Sequence, residues 1–423
     1  MRLEKHSGIW PVNSMVGKFG PNPSLLLPIV ANHLKTYPTP INLTGFWNFG
    51  SLAGICLVIQ ILTGVFLTMH YATTMEYTFH SVEHIMREVN QGWFLRYAHA
   101  NGASMFLLIL YIHIGKNLYY KSYLYEFKNA WLSGCAIYLL VMATAFLGYV
   151  LPWGQMSYWG ATVITNFISA IPVLGSHLVY WVWGGFSVGA ATLNRFFSLH
   201  YLLPFLIAFL VIAHLFFLHT VGSSNSYALD THQYFVLKTN FYPYSVIKDV
   251  LGLILFFMLY IFFIGYAPNY LGHSDNYIEA NPLVTPHAIV PEWYFLPFYG
   301  ILRSIPNKEG GIIAMFMAIL VFFFLPFMHH IINSLRLRLW SSRMINRNST
   351  LPSEQSSWVM LVPTLPLQPS WAFYLRFVVL GFLFSFFILL GWIGGQPVAE
   401  PMVTLGLYST GVYFICVLLL GIL

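Results

Sequence analysis

Eight stretches of about 20 predominantly apolar residues, each long enough to cross a bilayer as a helix, dominate this sequence. They run over 47–70, 95–120, 129–150, 190–221, 246–267, 311–334, 372–394 and 403–422, and are called spans A to H. In lipid, every backbone N–H and C=O must find its partner inside the protein, so runs of this length are confined to helices. The rest of the composition agrees. Of the 423 residues 58% are hydrophobic and only 8% charged, with mean hydropathy +0.68. A soluble domain carries about 25% charged residues. A cytosolic enzyme, a nucleic-acid binder and a disordered chain are excluded. The expected fold class is an all-α polytopic membrane protein with eight transmembrane helices.

The segment 1–46 has no apolar core ahead of a small-residue cleavage site, so no signal peptide is read there; residues 24–37 fit a short interfacial helix. The stretch 155–185 is apolar but broken by Pro172 and Gly175, and is expected as short surface helices rather than a ninth span. Cys56, Cys135 and Cys416 each lie inside an apolar run without a CxxC or CxxCH, and read as packing residues.

Eight spans put both termini on one side, termed the N side. The tail and loops BC, DE and FG there hold 14 of the 19 Lys and Arg residues and 5 of the 13 acids. The opposite, P-side loops hold 5 basic and 8 acidic residues. This asymmetry turns the N side toward the cytoplasm or the mitochondrial matrix. The basic residues are scattered, so the net charge of +6 does not signal nucleic acid.

Coordinating side chains inside spans are costly and mark function. Span B carries His99 and His113, and span D carries His200 and His214, both pairs 14 residues apart. Fourteen residues fall about 40° short of four full turns, so each pair shares one helix face, with its members about 21 Å apart along the axis. Spans B and D run in the same direction. His99 and His200 therefore share the P-side depth, and His113 and His214 the N-side depth. Two stacked His–His bridges are what two bis-histidine haems require, and such haems pass electrons instead of binding oxygen. A packing role explains one buried histidine, not two equally spaced pairs.

Glycine repeats the interval: Gly50 and Gly64 in span A, Gly134 and Gly148 in span C. Glycine costs a helix about 1 kcal/mol relative to alanine. A flat porphyrin edge pressing on backbone at the same two depths supplies a reason; close helix packing through small residues would leave the shared interval unexplained.

With these residues in place, the chain resembles the cytochrome b family of quinol:cytochrome c reductase, respiratory complex III. The resemblance covers about 30–423 and rests on FGSLAGICLVIQILTG (49–64), RYAHANGAS (96–104), GYVLPWGQMSYWGATVI (148–164), GGFSV (184–188), TLNRFFSLHYLLPF (192–205), FYPYSVIKD (241–249) and PEWYF (291–295). It implies an N-terminal tail (1–46), a di-haem four-helix part (47–235) and a C-terminal part with the PEWY loop and four further spans (236–423). It also implies a low-potential b haem on His99/His200, a high-potential one on His113/His214, and two quinone sites serving ubiquinol and ubiquinone. The implied partners are the Rieske iron–sulfur protein, cytochrome c1, the other complex III subunits, a second copy of the complex as a homodimer, and lipid, but no nucleic acid. The expected place is the mitochondrial inner membrane with both termini on the matrix side, the bacterial plasma membrane being the alternative.

On the P side, Glu292 lies among apolar and aromatic residues of the EF loop. Burial of that kind raises a carboxyl pKa toward neutrality, which suits a proton acceptor. The family resemblance assigns it that role toward quinol, with Tyr299 lining the pocket and Gly160 leaving room for the ring; Met156 and Phe295 are candidate lining. On the N side, His219 ends span D while Lys248 and Asp249 open span E. A His and an Asp facing each other can bond the two carbonyls of a quinone and deliver protons, and the family uses these positions so. Trp47 and Ser223 are candidates at the same level. Haem propionates seek cations: Arg96 is the P-side candidate, with Arg195 second, and Lys116 the N-side one.

Several positions depart from the family pattern. Lys116 stands where Arg is usual, which loses the bidentate fork. Gly189–Ala190–Ala191 lacks a polar pair, Ser274 replaces a proline, and Pro286–His287–Ala288 alters the approach to PEWY. Other di-haem membrane proteins would lack PEWY and the glycine repeat. A proton-coupled transporter would show inverted repeats. The chloroplast-type relative is split in two chains and has a longer span-D spacing.

Overall fold

The computed structural model describes residue 33 and residues 35–225, 237–348 and 370–423. Eight helices among them are long and apolar enough to cross a membrane. In chain order these are α1 (Asn48–Thr68), α3 (Gly92–Tyr119), α4 (Lys128–Val150), α7 (Ala190–Val221), α8 (Tyr244–Gly265), α10 (Lys308–Asn348), α11 (Ser370–Gly394) and α12 (Met402–Ile422). They correspond to spans A to H within a few residues. The exception is α10, whose apolar part ends at Ile332 while the helix continues to Asn348.

Four shorter helices lie between the spans. The stretch 155–185 forms α5 (Gln155–Asn166) and α6 (Gly175–Trp183), joined by a 3-10 turn, as its broken apolar pattern implies. Two more helices had no strong apolar signature: α2 (Met75–Arg87) after span A, and α9 (Leu296–Ser304) directly behind the PEWY segment. Strands β1 (Pro38–Pro40) and β2 (Lys238–Asn240) pair antiparallel with Thr39 opposite Thr239, tying the N-terminal segment to the approach to α8. The interfacial helix expected over 24–37 falls almost wholly outside the described residues.

α1 packs along α3, and α4 along α7; α9, α11 and α12 form the core of the second half. In α7 only 6% of the most apolar window is buried within the chain. Such a face cannot stand in water, and here it meets lipid or a bound group. Polar side chains cross-link the helices where lipid offers no partner. The Tyr260 hydroxyl donates to the Ala98 carbonyl (2.5 Å), Trp131 Nε1 to Phe322 O (2.7 Å) and Tyr413 to Ala318 O (2.7 Å).

The loops that build the P-side site are fastened to one another. Gln155 donates through Nε2 to Val284 O (3.0 Å) and accepts from the Asn281 amide (2.8 Å). Asn276 Oδ1 accepts from both the amide and the hydroxyl of Ser157 (2.9 and 3.0 Å). Asn101 donates to Pro268 O (3.0 Å), and Trp293 Nε1 to the Ser104 hydroxyl (3.1 Å). The PEWY segment is thereby set against α3, the helix that carries His99.

Candidate functional site

The four span histidines sit where their spacing places them, and each is packed on a glycine. A Cβ on Gly64 would lie 3.1 Å from His99 Cε1, one on Gly50 3.3 Å from His113 Cε1, and one on Gly134 3.1 Å from His214 Cε1; on Gly148 it would run into His200. The room that each glycine leaves is thus taken by an imidazole. Each glycine of the 14-residue interval thus faces one histidine of the equal interval.

At the P-side depth the rings of His99 and His200 lie with centroids 6.1 Å apart and planes at 87°. A metal–imidazole bond is about 2 Å, so two imidazoles on one metal have centroids roughly 6 Å apart. The tautomers agree. The Thr63 hydroxyl donates to the Ile59 carbonyl (2.7 Å) and so accepts from His99 Nδ1 (2.9 Å). Ser133 donates to Asn129 O (2.9 Å) and accepts from His214 Nδ1 (2.9 Å). His200 Nδ1 donates to Thr144 O (2.8 Å). In a neutral imidazole with its hydrogen on Nδ1, Nε2 carries the bare lone pair. Three of the four rings therefore present a bare Nε2, each with a hydrogen-bond acceptor behind its Nδ1, the arrangement suited to a metal ligand. His113 differs: its Nδ1 is buried and has no hydrogen-bond partner. Among the described residues no group of three or more His, Cys, Asp or Glu could hold a metal ion. Paired histidines on a flat macrocycle that supplies the remaining ligands itself fit this donor set.

A cavity of about 290 Å³ opens beside His99 and His200. Its walls include Gly64, His99, Gly148 and His200, the predicted propionate partner Arg96, and Glu292 with Tyr294. Burial pushes the Glu292 carboxyl up to about 7, while the Tyr149 hydroxyl and the Arg96 guanidinium beside it pull the other way. The Tyr299 hydroxyl donates to Ile289 O (3.1 Å), bracing the loop that carries Glu292, and Arg303 lies over its ring at 5.0 Å. A Cβ on Gly160 would meet nothing within 4 Å, so that position borders open space; Met156 is buried.

The N-side candidates are engaged on separate partners. Among the described residues no hydrogen bond joins His219 to Asp249. Asp249 Oδ1 accepts from the Ser51 hydroxyl (2.9 Å). Lys248 Nζ donates to Leu43 O (2.9 Å), and Asn48 donates to the Lys248 carbonyl. His219 Nδ1 lies 2.7 Å from His33 Nδ1, and its ring stacks on Tyr37 at 4.3 Å. Ser223 lies beside Tyr37. Lys116, the N-side propionate candidate, is held by two neighbours. Its amine donates to Asn117 Oδ1 (2.9 Å) and rests 4.7 Å over the Trp47 ring. Arg195, the second propionate candidate, donates instead to the Trp181 and Val182 carbonyls at the end of α6.

Sequence reasoning missed Thr63, Ser133, Thr144, Tyr149 and His33. A signal existed for two of them, since Thr63–Gly64 and Ser133–Gly134 each place a hydroxyl directly before a ring-bearing glycine.

Fold and site together define an eight-span, all-α membrane protein whose facing helices carry paired histidines at two depths. Residues 34–222 match the family described as Cytochrome b/b6/petB, and residues 279–347 the one described as Cytochrome b(C-terminal)/b6/petD. The cytochrome b of Cyanidium caldarium is 52% identical over 389 residues, covering 92% of each chain. That of Rickettsia conorii is 50% identical over 396 residues, covering 93% of this chain and 90% of the other. A solved structure described as a hyperthermophilic respiratory Complex III superposes with TM-score 0.80 at 29% identity, covering 94% of this chain and 95% of that one. The chain belongs to the cytochrome b family, the catalytic core of quinol–cytochrome c reductase in respiratory complex III, and this family implies b haems.

Proposed function

We propose that this chain oxidises ubiquinol on the P side and reduces ubiquinone on the N side, with His99/His200 holding a low-potential haem and His113/His214 a high-potential one. The observation that carries this reading is one cavity whose walls hold both the P-side histidine pair and the Glu292 carboxyl. A proton acceptor and an electron acceptor meet there at one place. The haems, when bound, supply a one-electron path from that site across the membrane.

The chain's own residues do the rest. Glu292, with its carboxyl near neutrality, takes a proton from the quinol hydroxyl. Gly160 keeps the ring's path open and Tyr299 braces the loop. Arg96, on the wall of the same cavity, neutralises a propionate; Lys116 would have to leave Trp47 to do the same on the N side. His219 and Asp249 address the two quinone oxygens, with Lys248, Ser223 and Trp47 shaping the pocket. Of the two quinol electrons, one enters the P-side haem and the other goes to a Rieske iron–sulfur partner and on through cytochrome c1, in a dimeric complex with further subunits. In this scheme 47–235 is the di-haem part, 236–423 the part with the PEWY loop, and 1–46 a tail. The charge asymmetry puts both termini on the matrix or cytoplasmic side; the membrane is the mitochondrial inner membrane, with a bacterial plasma membrane the alternative.

The test is a redox titration of the purified complex followed by dithionite-reduced minus ferricyanide-oxidised spectra. Two b-type components with separated midpoints are expected, one lost in His99→Leu and the other in His113→Leu. A folded complex without haem absorbance would overturn the proposal.

A further inference from the structure

His219 has a neighbour that the scheme above leaves idle. His33 Nδ1 lies 2.7 Å from His219 Nδ1, with the ring centroids 4.9 Å apart and the planes 19° from parallel. Tyr37 stacks on His219 at 4.3 Å and 18°, which fixes the plane of its ring. His33 is only partly buried and can exchange with water, and the segment behind it is tied down by the β1–β2 pairing.

Two imidazole nitrogens at this distance share one hydrogen. If His219 donated from Nδ1, its Nε2 would be a bare acceptor with nothing to offer a quinone carbonyl, which also only accepts. If His33 donates, His219 accepts at Nδ1, keeps its hydrogen on Nε2 and can donate it. We propose that His33 is a positioning residue for the N-side reaction: it holds His219 in the Nε2–H tautomer and returns the proton that His219 gives to the quinone. This inference rests on the N-side quinone reading above.

Atoms and electrons balance. For each electron arriving from the b haem, one quinone oxygen gains one proton as the His219 Nε2–H bond breaks and an O–H bond forms. The His33 Nδ1–H bond then breaks, and a His219 Nδ1–H bond forms. N-side water protonates His33 at Nε2 as that transfer occurs, so neither ring is left an anion. The pair resets once the quinol has left: His219 Nε2 takes a proton from water, its Nδ1 hydrogen returns to His33 Nδ1, and His33 Nε2 gives its own back to water. The other titratable or charged groups on the surrounding elements are Lys35 and Tyr37 beside His33, Lys238 on β2, Lys248 and Asp249 on α8, Lys116 on α3, and Glu126 and Lys128 at the start of α4. None of them makes the Nδ1 contact that His33 makes.

The assay uses the whole complex depleted of its Rieske subunit, so that added quinol can reduce b haem only by reversal of the N-side reaction. The rate is followed from pH 6 to pH 9 in the wild type, His33→Gln, His33→Phe and His219→Leu. Gln can still donate a hydrogen bond but cannot relay a proton; Phe keeps the stacking alone. Both His33 variants are expected to retain haem spectra and to slow by about tenfold near pH 6, where water offers few acceptors for the proton that quinol releases, and less at pH 9. A His33→Ala complex is expected to recover speed when imidazole is added. A wild-type pH profile in His33→Gln and His33→Phe overturns the inference, as does a slowing that is equal at every pH and insensitive to imidazole. If His219→Leu leaves the rate unchanged, the N-side quinone reading itself falls. If it slows the rate while the His33 variants do not, only the role of His33 falls.

Discussion

The Thr63 hydroxyl accepts the Nδ1 hydrogen of His99 at 2.9 Å while donating its own hydrogen to Ile59 O. One helical turn of α1 thereby fixes both the tautomer and the orientation of a ligand on α3. An acceptor behind a metal-bound imidazole makes it a stronger donor to the metal, which favours the oxidised ion. Removing one such bond is worth about 0.5–1.5 kcal/mol, or roughly 20–60 mV for a one-electron couple. Thr63→Val is therefore expected to raise the midpoint of the P-side haem by that amount, and Ser133→Ala that of the N-side haem, each leaving the other component in place. Potentiometric titration of the two components checks this. A shift in the wrong component would show that the depth assignment is inverted.

The glycines divide into those that face a ring and those that do not. A Cβ on Gly148 collides with His200, whereas one on Gly54 meets nothing within 4 Å. Gly148→Ala is expected to displace the His200 ring and to lose most of the P-side haem absorbance. Gly54→Ala, in the same α1 that carries Gly50 and Gly64, is expected to assemble both haems normally and to gain slightly from alanine's better helix propensity. Haem content by pyridine haemochrome separates the two outcomes. Equal haem in both variants would mean that the 14-residue glycine interval reflects helix packing alone.

Much of this was legible because membrane sequences are written in long periods. Spans A to H were recoverable because a 20-residue apolar run leaves few alternatives, and the histidine pairs because their interval sets both face and depth. What escaped was chemistry carried by short polar side chains. Thr63 and Ser133 look like ordinary helix residues until the ring across the interface is known. α2 escaped because an amphipathic surface helix has no run to betray it, and α9 because a buried helix of 9 residues is too short to register as a span. His33 lies 186 residues from His219 along the chain, a separation at which no sequence pattern pairs two residues. Lys116 was singled out by residue type alone, and its contacts with the Trp47 face and Asn117 were not legible in the sequence.

Arg376 on α11 is buried, and its guanidinium is held by the Tyr123 hydroxyl (3.1 Å) and the Leu118 carbonyl (2.6 Å). Tyr123 passes its own hydrogen to Leu420 O (2.9 Å). One phenol thus joins the end of α3, α11 and the C-terminal helix α12. Tyr123→Phe keeps the ring but strips one partner from a buried cation, a loss of about 1–3 kcal/mol. The variant complex is expected to lose haem absorbance a few degrees lower on heating, with unchanged midpoints. An unaltered melting profile would show that water or another group replaces the phenol.

Glu292 offers the sharpest pH signature. Burial holds its carboxyl at about 7, above the 4.5 of an exposed glutamate. As a proton acceptor it works only when ionised. The rate of P-side quinol oxidation should therefore fall as pH drops through about 7 and level off above it, where the carboxylate form is already fully populated. Linkage runs the other way for stability. The folded state holds its proton more tightly than the unfolded chain does, so the contribution of this group is greatest in acid and is lost as pH rises through the folded value. Rate and stability should thus change in opposite directions across the same interval. Glu292→Gln removes the titration. The rate is expected to drop on the order of a hundredfold and to lose its inflection near neutrality, while haem spectra and N-side reduction stay normal. A Glu292→Gln complex that keeps both its rate and the inflection would place the acceptor on another group, and Tyr149, beside the carboxyl, would then be the first residue to substitute.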